Sequence, residues 1–432
     1  MDIAVFKNRR KRLIDLIKKD AHNDGTIFLF ANITANQLNF IQESSFYYFS
    51  GINEPACVLQ INFDGSTCLF VPNTNNMRTR WLQETIDATN ANAQKIGVDE
   101  IVYLGDPIGG YQFAPLFQES SCKNLINILK DIFATNKTIF TCIPTGSLYT
   151  QQYLWLTQLA RFIPELPQKL TNINAAITTL RRKKDHAEIE KIFSAIQATV
   201  AANAEIIPLI EAGTQERMIQ AQIALTMTAF GMNSAFAPIV AAGKNSMLPH
   251  YEKDTSTIVT GDIVLIDCGA QYEHYCADLT RTYPVGGSFT PQQQKIYDCV
   301  LACQQELAEF AKPGIFLNNK DIPEQSLYHR MLAFFEKHGY KDYVVHGVGH
   351  FLGLDVHDVG NPQEPLEEGD VITIEPGLYL PHEEFGIRIE DDYWLIKDGV
   401  HCLSEELPKE TKDIHEIMTQ KSGCESGCSH TH

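Results

Sequence analysis

The chain has no run of about 18 apolar residues, the length a helix needs to cross a bilayer, so no membrane partner is expected. It has no surplus of positive charge: 35 Lys and Arg face 53 Asp and Glu, a formal net charge of −18. That excludes the clustered basic surface on which nucleic-acid binding depends, and it mildly favours cationic ligands such as free peptide N-termini. The N-terminal stretch MDIAVFKNRRKRLIDLIKK lacks the apolar core and small-residue cleavage site of a secretory signal. The 11 cysteines are odd in number and scattered, so they read as reduced thiols rather than a disulfide framework, and a cytoplasmic location is expected. At 432 residues the chain is too long for one ordinary core, and two domains are expected.

The first third alternates strand-like runs with helical ones. Thr26–Ala31, Cys57–Phe63, Thr67–Pro72 and Thr138–Ile143 read as strands, and Met1–Asp20 and Lys123–Ala134 as helices. Pro164 and Pro167 make Phe162–Leu170 look like a linker, which sets the expected boundaries at 1–168 for a mixed α/β domain and 169–420 for a second domain. A polar tail, 421–432, is expected to be disordered. In the second domain helices are expected over Asp185–Ala212, Gln215–Phe230, Pro291–Ala311 and Ile322–His338. Two strand-rich blocks, Asn233–Pro284 and Asp342–Cys402, complete an α+β domain built from two similar halves.

The halves are visible as a repeat. Gly261-Asp262-Ile-Val-Leu-Ile-Asp267-Cys-Gly269 returns as Gly369-Asp370-Val-Ile-Thr-Ile-Glu375-Pro-Gly377, and each copy is followed by a second acid, Asp278 or Glu390. Alternate strand residues share a face, so Asp267 lies with Ile263 and Leu265, Asp278 with Thr280 and Thr282, Glu375 with Thr373, and Glu390 with Arg388 and Asp392. One strand-end acid is ordinarily a turn cap. Four in duplicated positions are costly to bury together unless divalent cations separate their charges. Between the copies lies HGVGHFLGLDVHD, with His346, His350 and His357. An imidazole from this segment would complete a site of four carboxylates and one histidine. Such hard donors suit Mn²⁺, Fe²⁺, Co²⁺ or Zn²⁺, and two ions about 3.5 Å apart can share a hydroxide and polarise a carbonyl, which is hydrolytic chemistry. Cys268 and Cys276 read as small buried residues, because period-2 alternation turns Cys268 away from Asp267.

The series Asp267, Asp278, His350, Glu375, Glu390 resembles the five-ligand set of the pita-bread metallopeptidases, which include methionine aminopeptidase, aminopeptidase P and prolidase. LPHYEKD, HGVGHFLGLDVHDVG, TIEPGLYL and GIRIEDD look most like aminopeptidase P, with prolidase next, and QESSFYYFSGINEPACVLQI looks like the N-terminal domain those two carry. The resemblance implies a creatinase/prolidase-like α/β domain followed by a pita-bread domain with internal pseudo-two-fold symmetry. It implies two divalent ions, Mn²⁺ first, with Asp267 on one, His350 and Glu375 on the other, and Asp278 and Glu390 bridging. It implies Glu375 as proton shuttle, His250 and His357 on the substrate and oxyanion, His346 beside the proline pocket, and Arg388 orienting nearby acids. The expected activity is removal of the N-terminal residue from peptides with proline in second position, by a homodimer or homotetramer. An Xaa-Pro dipeptidase is the alternative reading, and a non-catalytic pita-bread binding module a lesser one. The short stretch between Asp358 and Glu368 favours aminopeptidase P, whereas Ala35–Gln42 departs from the family's arginine-containing pattern. Cys424, Cys428, His430 and His432 have metal-like spacing but read as a loose terminus.

Overall fold

The computed structural model describes residues 2–19, 24–33, 40–74, 86–109, 117–135, 137–144 and 150–420. The tail with Cys424, Cys428, His430 and His432, and residues 35–39 of the Ala35–Gln42 stretch, lie outside the described residues. Two compact units result, Met1–Arg181 and Arg182–His432.

In the first unit, strands β1 (Gly25–Phe30), β2 (Val58–Asn62), β3 (Thr67–Val71), β4 (Glu100–Tyr103), β5 (Thr138–Thr141) and β6 (Leu170–Asn172) form one sheet in the order β4-β3-β2-β1-β5-β6. β1 and β3 are continuous apolar runs buried throughout, as strands covered on both faces must be. The helix Lys123–Ala134 buries Leu125, Ile126, Leu129 and Ile132 on one stripe. They join Phe28, Phe70 and Trp155 in the core, and the Trp155 indole N–H donates to the Ala31 carbonyl at 2.8 Å. Arg9 and Arg10, buried on the helix Ile3–Lys19, donate to Tyr48 O at 3.2 Å and Phe49 O at 3.1 Å. Those carbonyls belong to the last turn of the helix Ser44–Ser50, where no intrahelical donor reaches them. The expected linker Phe162–Leu170 is folded instead. Leu166–Lys169 is a helical turn with a proline in its first turn, and β6 follows it directly, paired with β5. A proline at a helix start is pre-organised rather than disruptive, which is why the two prolines misplace the boundary.

In the second unit, Asp185 and Glu188 form a reciprocal capping box that starts the helix His186–Ile206. With its last 3₁₀ turn this helix is long and apolar enough by composition to cross a membrane. It is a core helix, with Ile192, Ile196, Ala202 and Ile206 fully buried and Thr199 accepting from Ala270 N at 2.9 Å. The strands are β7 (Asn233–Ser234), β8 (Ile239–Ala242), β9 (Ile263–Cys268), β10 (Ala270–Tyr272), β11 (Tyr275–Cys276), β12 (Leu279–Pro284), β13 (Val371–Ile374), β14 (Gly377–Leu380), β15 (Phe385–Arg388), β16 (Asp391–Ile396) and β17 (Gly399–Cys402).

The sequence repeat is a structural repeat. In the first half β9 pairs antiparallel with β12 around the small hairpin β10–β11; in the second β13 pairs with β16 around β14–β15. Gly261 and Gly369 take the same left-handed conformation, φ +88° and +95°, which glycine adopts without penalty. Asp262 accepts from Val259 N at 3.0 Å and Asp370 from Glu367 N at 2.7 Å, closing equivalent turns. The halves are stitched by Arg281, fully buried. Its guanidinium donates to Thr280 O, Glu390 O, Leu407 O, Pro408 O and the Asp391 carboxylate, whose other oxygen takes the Lys409 ammonium at 2.7 Å. Asp391 is accordingly held below the usual carboxylate range: burial opposes its charge, but Arg281 and Lys409 outweigh it.

Candidate metal centre

Each half delivers one acid where its first outer strand ends and one where its second begins. Asp267 is the penultimate residue of β9, Asp278 immediately precedes β12, Glu375 immediately follows β13 and Glu390 immediately precedes β16. The expected single strand carrying Arg388, Glu390 and Asp392 is broken: β15 ends at Arg388, β16 starts at Asp391, and Glu390 forms a lone antiparallel bridge with Thr280. The shared face survives the break, because all three side chains reach the same neighbourhood.

His350 arrives on a separate segment lying along β13. Its carbonyl accepts from Thr373 N at 2.9 Å, and Glu375 N donates to Val348 O at 2.9 Å. Gly349 permits this approach, since a Cβ there would lie 2.0 Å from Thr373 O. Donor atoms of Asp278, His350 and Glu390 lie within 4.8 Å of one another. His350 Nε2 is 3.4 Å from Asp278 Oδ2 and 3.9 Å from Glu375 Oε1. Asp267 touches Asp278 directly and takes the Arg388 guanidinium at 2.6 Å. The five residues named from the sequence therefore converge.

The electrostatics are those of an acid cluster short of positive charge. Burial first, then the neighbouring carboxylates, push Asp278 and Glu390 well above their usual range. Glu375 is also raised by burial, against the pull of His350 and Arg388. Buried Asp267 Oδ1 and Asp278 Oδ1 meet no hydrogen-bond donor, although an ionised carboxylate can only accept. His350 Nδ1 lies 3.1 Å from Phe351 O. A carbonyl there requires Nδ1–H, which leaves Nε2, the nitrogen facing two carboxylates, as the one that carries the lone pair of the neutral ring. Lone pairs aimed at orphaned oxygens fit divalent cations, and the oxygen-rich donor set fits the hard or borderline ones.

Around the acids runs a directed chain of hydrogen bonds. Arg388 Nη1 donates to the Tyr379 hydroxyl at 2.8 Å, which donates to His346 Nε2 at 2.8 Å, while His346 Nδ1–H points to Gly347 O at 2.8 Å. Desolvation, then the Arg388 charge, pulls the His346 pKa down to about 4, so the ring is neutral. Thr280 Oγ1 donates to Glu390 Oε2 at 2.7 Å and accepts from Arg388 Nε at 3.1 Å. Asp392 Oδ2 accepts from Asp278 N at 3.1 Å. The His357 ring packs 4.1 Å from the His350 ring. His250 is exposed, yet close enough to lower both His346 and His357 by its charge. Cys268 and Cys276 are buried and burial pushes both thiols up, which keeps them protonated and unsuited to ligation.

This constellation sits within a region that matches the metallopeptidase family M24 profile over residues 190–397, while residues 6–107 match the aminopeptidase P N-terminal domain. Human Xaa-Pro aminopeptidase 3 is 30% identical, over 96% of this chain and 85% of that protein. The chain belongs to the aminopeptidase P family. A solved Bacillus anthracis structure assigned as an aminopeptidase P superposes with a TM-score of 0.82 at 30% identity, covering 98% of this chain and 99% of that one. The pita-bread fold of that family is the α+β architecture with two related halves described above. A Pyrococcus furiosus Xaa-Pro dipeptidase is 36% identical, but over only 55% of this chain and 67% of that protein. Aminopeptidase P thus matches both units, whereas the dipeptidase matches one part.

Sequence reading placed Thr280 and Asp392 on the faces of Asp278 and Glu390 without a role, and it missed Tyr379. Tyr379 and Thr280 stood two residues from Gly377 and Asp278 on period-2 positions, so a signal existed. The buried ion pair of Lys184 with Asp358, 3.0 Å, which holds the end of the histidine segment, had none.

Proposed function

We propose that this protein is a metal-dependent Xaa-Pro aminopeptidase, a metallo-exopeptidase releasing an N-terminal residue that precedes proline. The observation that carries it is the convergence of Asp267, Asp278, His350, Glu375 and Glu390, with carboxylate oxygens left without donors. These five would hold two divalent cations, which when bound supply Lewis-acid activation of the scissile carbonyl and of water. The chain's own groups do the rest. Glu375, a raised carboxylate that lies within 4 Å of both His346 and His350, takes and returns a proton at its carboxylate. Arg388 fixes Asp267 and, through Tyr379, the neutral tautomer of His346. His346 lines the proline side, and His250 and His357 steady the substrate and the developing oxyanion. The bond before proline has no N–H, so recognition rests on the carbonyl and the ring rather than on that donor.

Manganese as the resident metal, a cytoplasmic location and a homodimer or homotetramer belong to the same proposal. The oxygen-rich donor set supports the first. The nine free cysteines among the described residues fit a reducing compartment. The test compares an Xaa-Pro-Yaa tripeptide with its Xaa-Pro dipeptide, on protein stripped by chelator and on protein reloaded with Mn²⁺. Metal-restored cleavage of the tripeptide is expected. Undiminished activity after complete stripping would overturn the reading, and exclusive cleavage of the dipeptide would replace it with a dipeptidase.

A further inference from the structure

The helix Pro291–Phe310 carries two buried glutamines that reach out to backbone carbonyls. Gln293 Nε2 donates to Gly261 O at 2.9 Å, at the turn before β9. Gln304, fully buried, does something different. Its Nε2 lies 3.2 Å from Ile374 O, 3.3 Å from Ile389 O and 3.0 Å from Asp391 Oδ2. Ile374 is the residue before Glu375, and Ile389 the residue before Glu390. One amide nitrogen thus binds the backbone immediately behind two of the five converging side chains.

The need for such a tie follows from the strand pattern. β13 ends at Ile374, and two residues on Pro376 has no N–H to continue a ladder. Ile389 lies in the gap between β15 and β16. Both carboxylates therefore hang from backbone where the chain changes sheets and ladder hydrogen bonds thin out. The orientation of the amide is fixed by chemistry, since all three neighbours are acceptors and only the NH₂ end can face them. The Gln304 carbonyl oxygen is left buried without a partner. A buried polar atom left unpaired is costly, so the position is spent on what the nitrogen does.

We infer that Gln304 is a positioning residue that sets the spacing of Glu375 and Glu390 for divalent-cation binding. This rests on the reading of those two acids as metal ligands. Outer partners that orient ligands are worth about 10- to 100-fold in metal affinity, and the absence of the Nε2 donor frees both backbone segments at once.

The experiment compares Gln304→Met with Gln293→Met, a change of the same kind on the same helix. Chelator-stripped protein is titrated with manganese chloride by calorimetry, and kcat and KM are measured on a tripeptide with penultimate proline. Gln304→Met is expected to weaken Mn²⁺ binding about tenfold or more and to lower kcat with KM unchanged. Gln293→Met is expected to keep the wild-type affinity even if its melting temperature falls. Wild-type affinity in Gln304→Met, or equal weakening in both variants, overturns the inference. If Gln304→Met is isolated unfolded, Gln304→Asn, which keeps the amide but on a side chain one methylene shorter, is titrated under the same two criteria. Failure of the wild type to bind Mn²⁺ would instead remove the metallopeptidase reading beneath it.

Discussion

Asp262 and Asp370 close the same turn in the two copies of the repeat, but on different foundations. Asp262 is partly exposed, and its carboxylate serves the turn alone, through Val259 N. Asp370 is fully buried, takes Glu367 N, and is gripped by Arg182 through Nε at 2.9 Å and Nη2 at 2.5 Å. The acids downstream differ in the opposite sense. Asp267 is held by a guanidinium at 2.6 Å, whereas Glu375 lies beside two imidazoles, at 3.8 Å and 3.9 Å, and feels the Arg388 charge without a direct ion pair. The duplication supplied a matching pair of scaffolds, and the surroundings then divided the labour: the guanidinium grips the turn acid in the second half and the site acid in the first, which leaves Glu375 free to move protons.

The most damaging way to break that symmetry is to remove a carboxylate at the centre. Asp278→Asn should lower kcat/KM by about 10³-fold or more, several kcal/mol of charge stabilisation, while the fold persists. The same change should stabilise the metal-free protein. Asp278 and Glu390 have folded pKa values raised above their unfolded ones. Folded protein then keeps protons that the unfolded chain releases above about pH 4, so this contribution to stability is present at low pH and lost as pH rises through the raised values. Calorimetry of chelator-treated protein should show Asp278→Asn melting higher than wild type at pH 8, with the gap closing toward pH 4. A lower melting point at pH 8 contradicts the repulsion argument.

The two turn aspartates give the next contrast. Asp370→Ala leaves the buried Arg182 with its bond to the Pro365 carbonyl and the longer contacts to Glu364 and Glu367, and should cost about 3 kcal/mol. Asp262→Ala removes one turn hydrogen bond and should cost about 1 kcal/mol. Equal losses in urea titrations would mean that the halves are energetically alike. A smaller effect is expected at Tyr379→Phe, which cuts the Arg388–Tyr379–His346 relay. A loss of about 1 kcal/mol, roughly fivefold in kcat/KM, is anticipated from the missing hydrogen bonds. A further contrast is in pH dependence. His346 refuses a proton until about pH 4, whereas in the unfolded chain it takes one near pH 6.5. Its contribution is therefore present above about pH 6.5 and is lost as pH falls through that window. His346→Gln should flatten the acid limb of stability between those values, and an unchanged limb would reassign it.

Much of this was legible because strands write their geometry in alternation. The Gly-Asp turns, the four acids and the dense histidines are local patterns whose face follows from period 2, and apolar residues at helical spacing announced the helix from Asp185. The break between Arg388 and Asp391 was not legible, because no residue in GIRIEDD marks the point where a strand leaves one sheet for another. Nor was the folded segment through Leu166–Asn172, where proline served as a helix start. Gln304 carried no signal, since an amide on an amphipathic helix says nothing about which carbonyls it will meet.

The order of residues along the chain settled which chemical groups were present and which side of each strand they would take, for both are properties of a backbone a few residues long. Folding settled which of those groups became neighbours: that Arg388 would bond Asp267 directly and reach Glu375 only through its charge, that Arg281 would join the halves through Asp391, and that one glutamine would stand behind two acids. These pairings span roughly 70 to 120 positions of chain, a separation across which only the shape of a packed interior, and no local rule, can decide who meets whom.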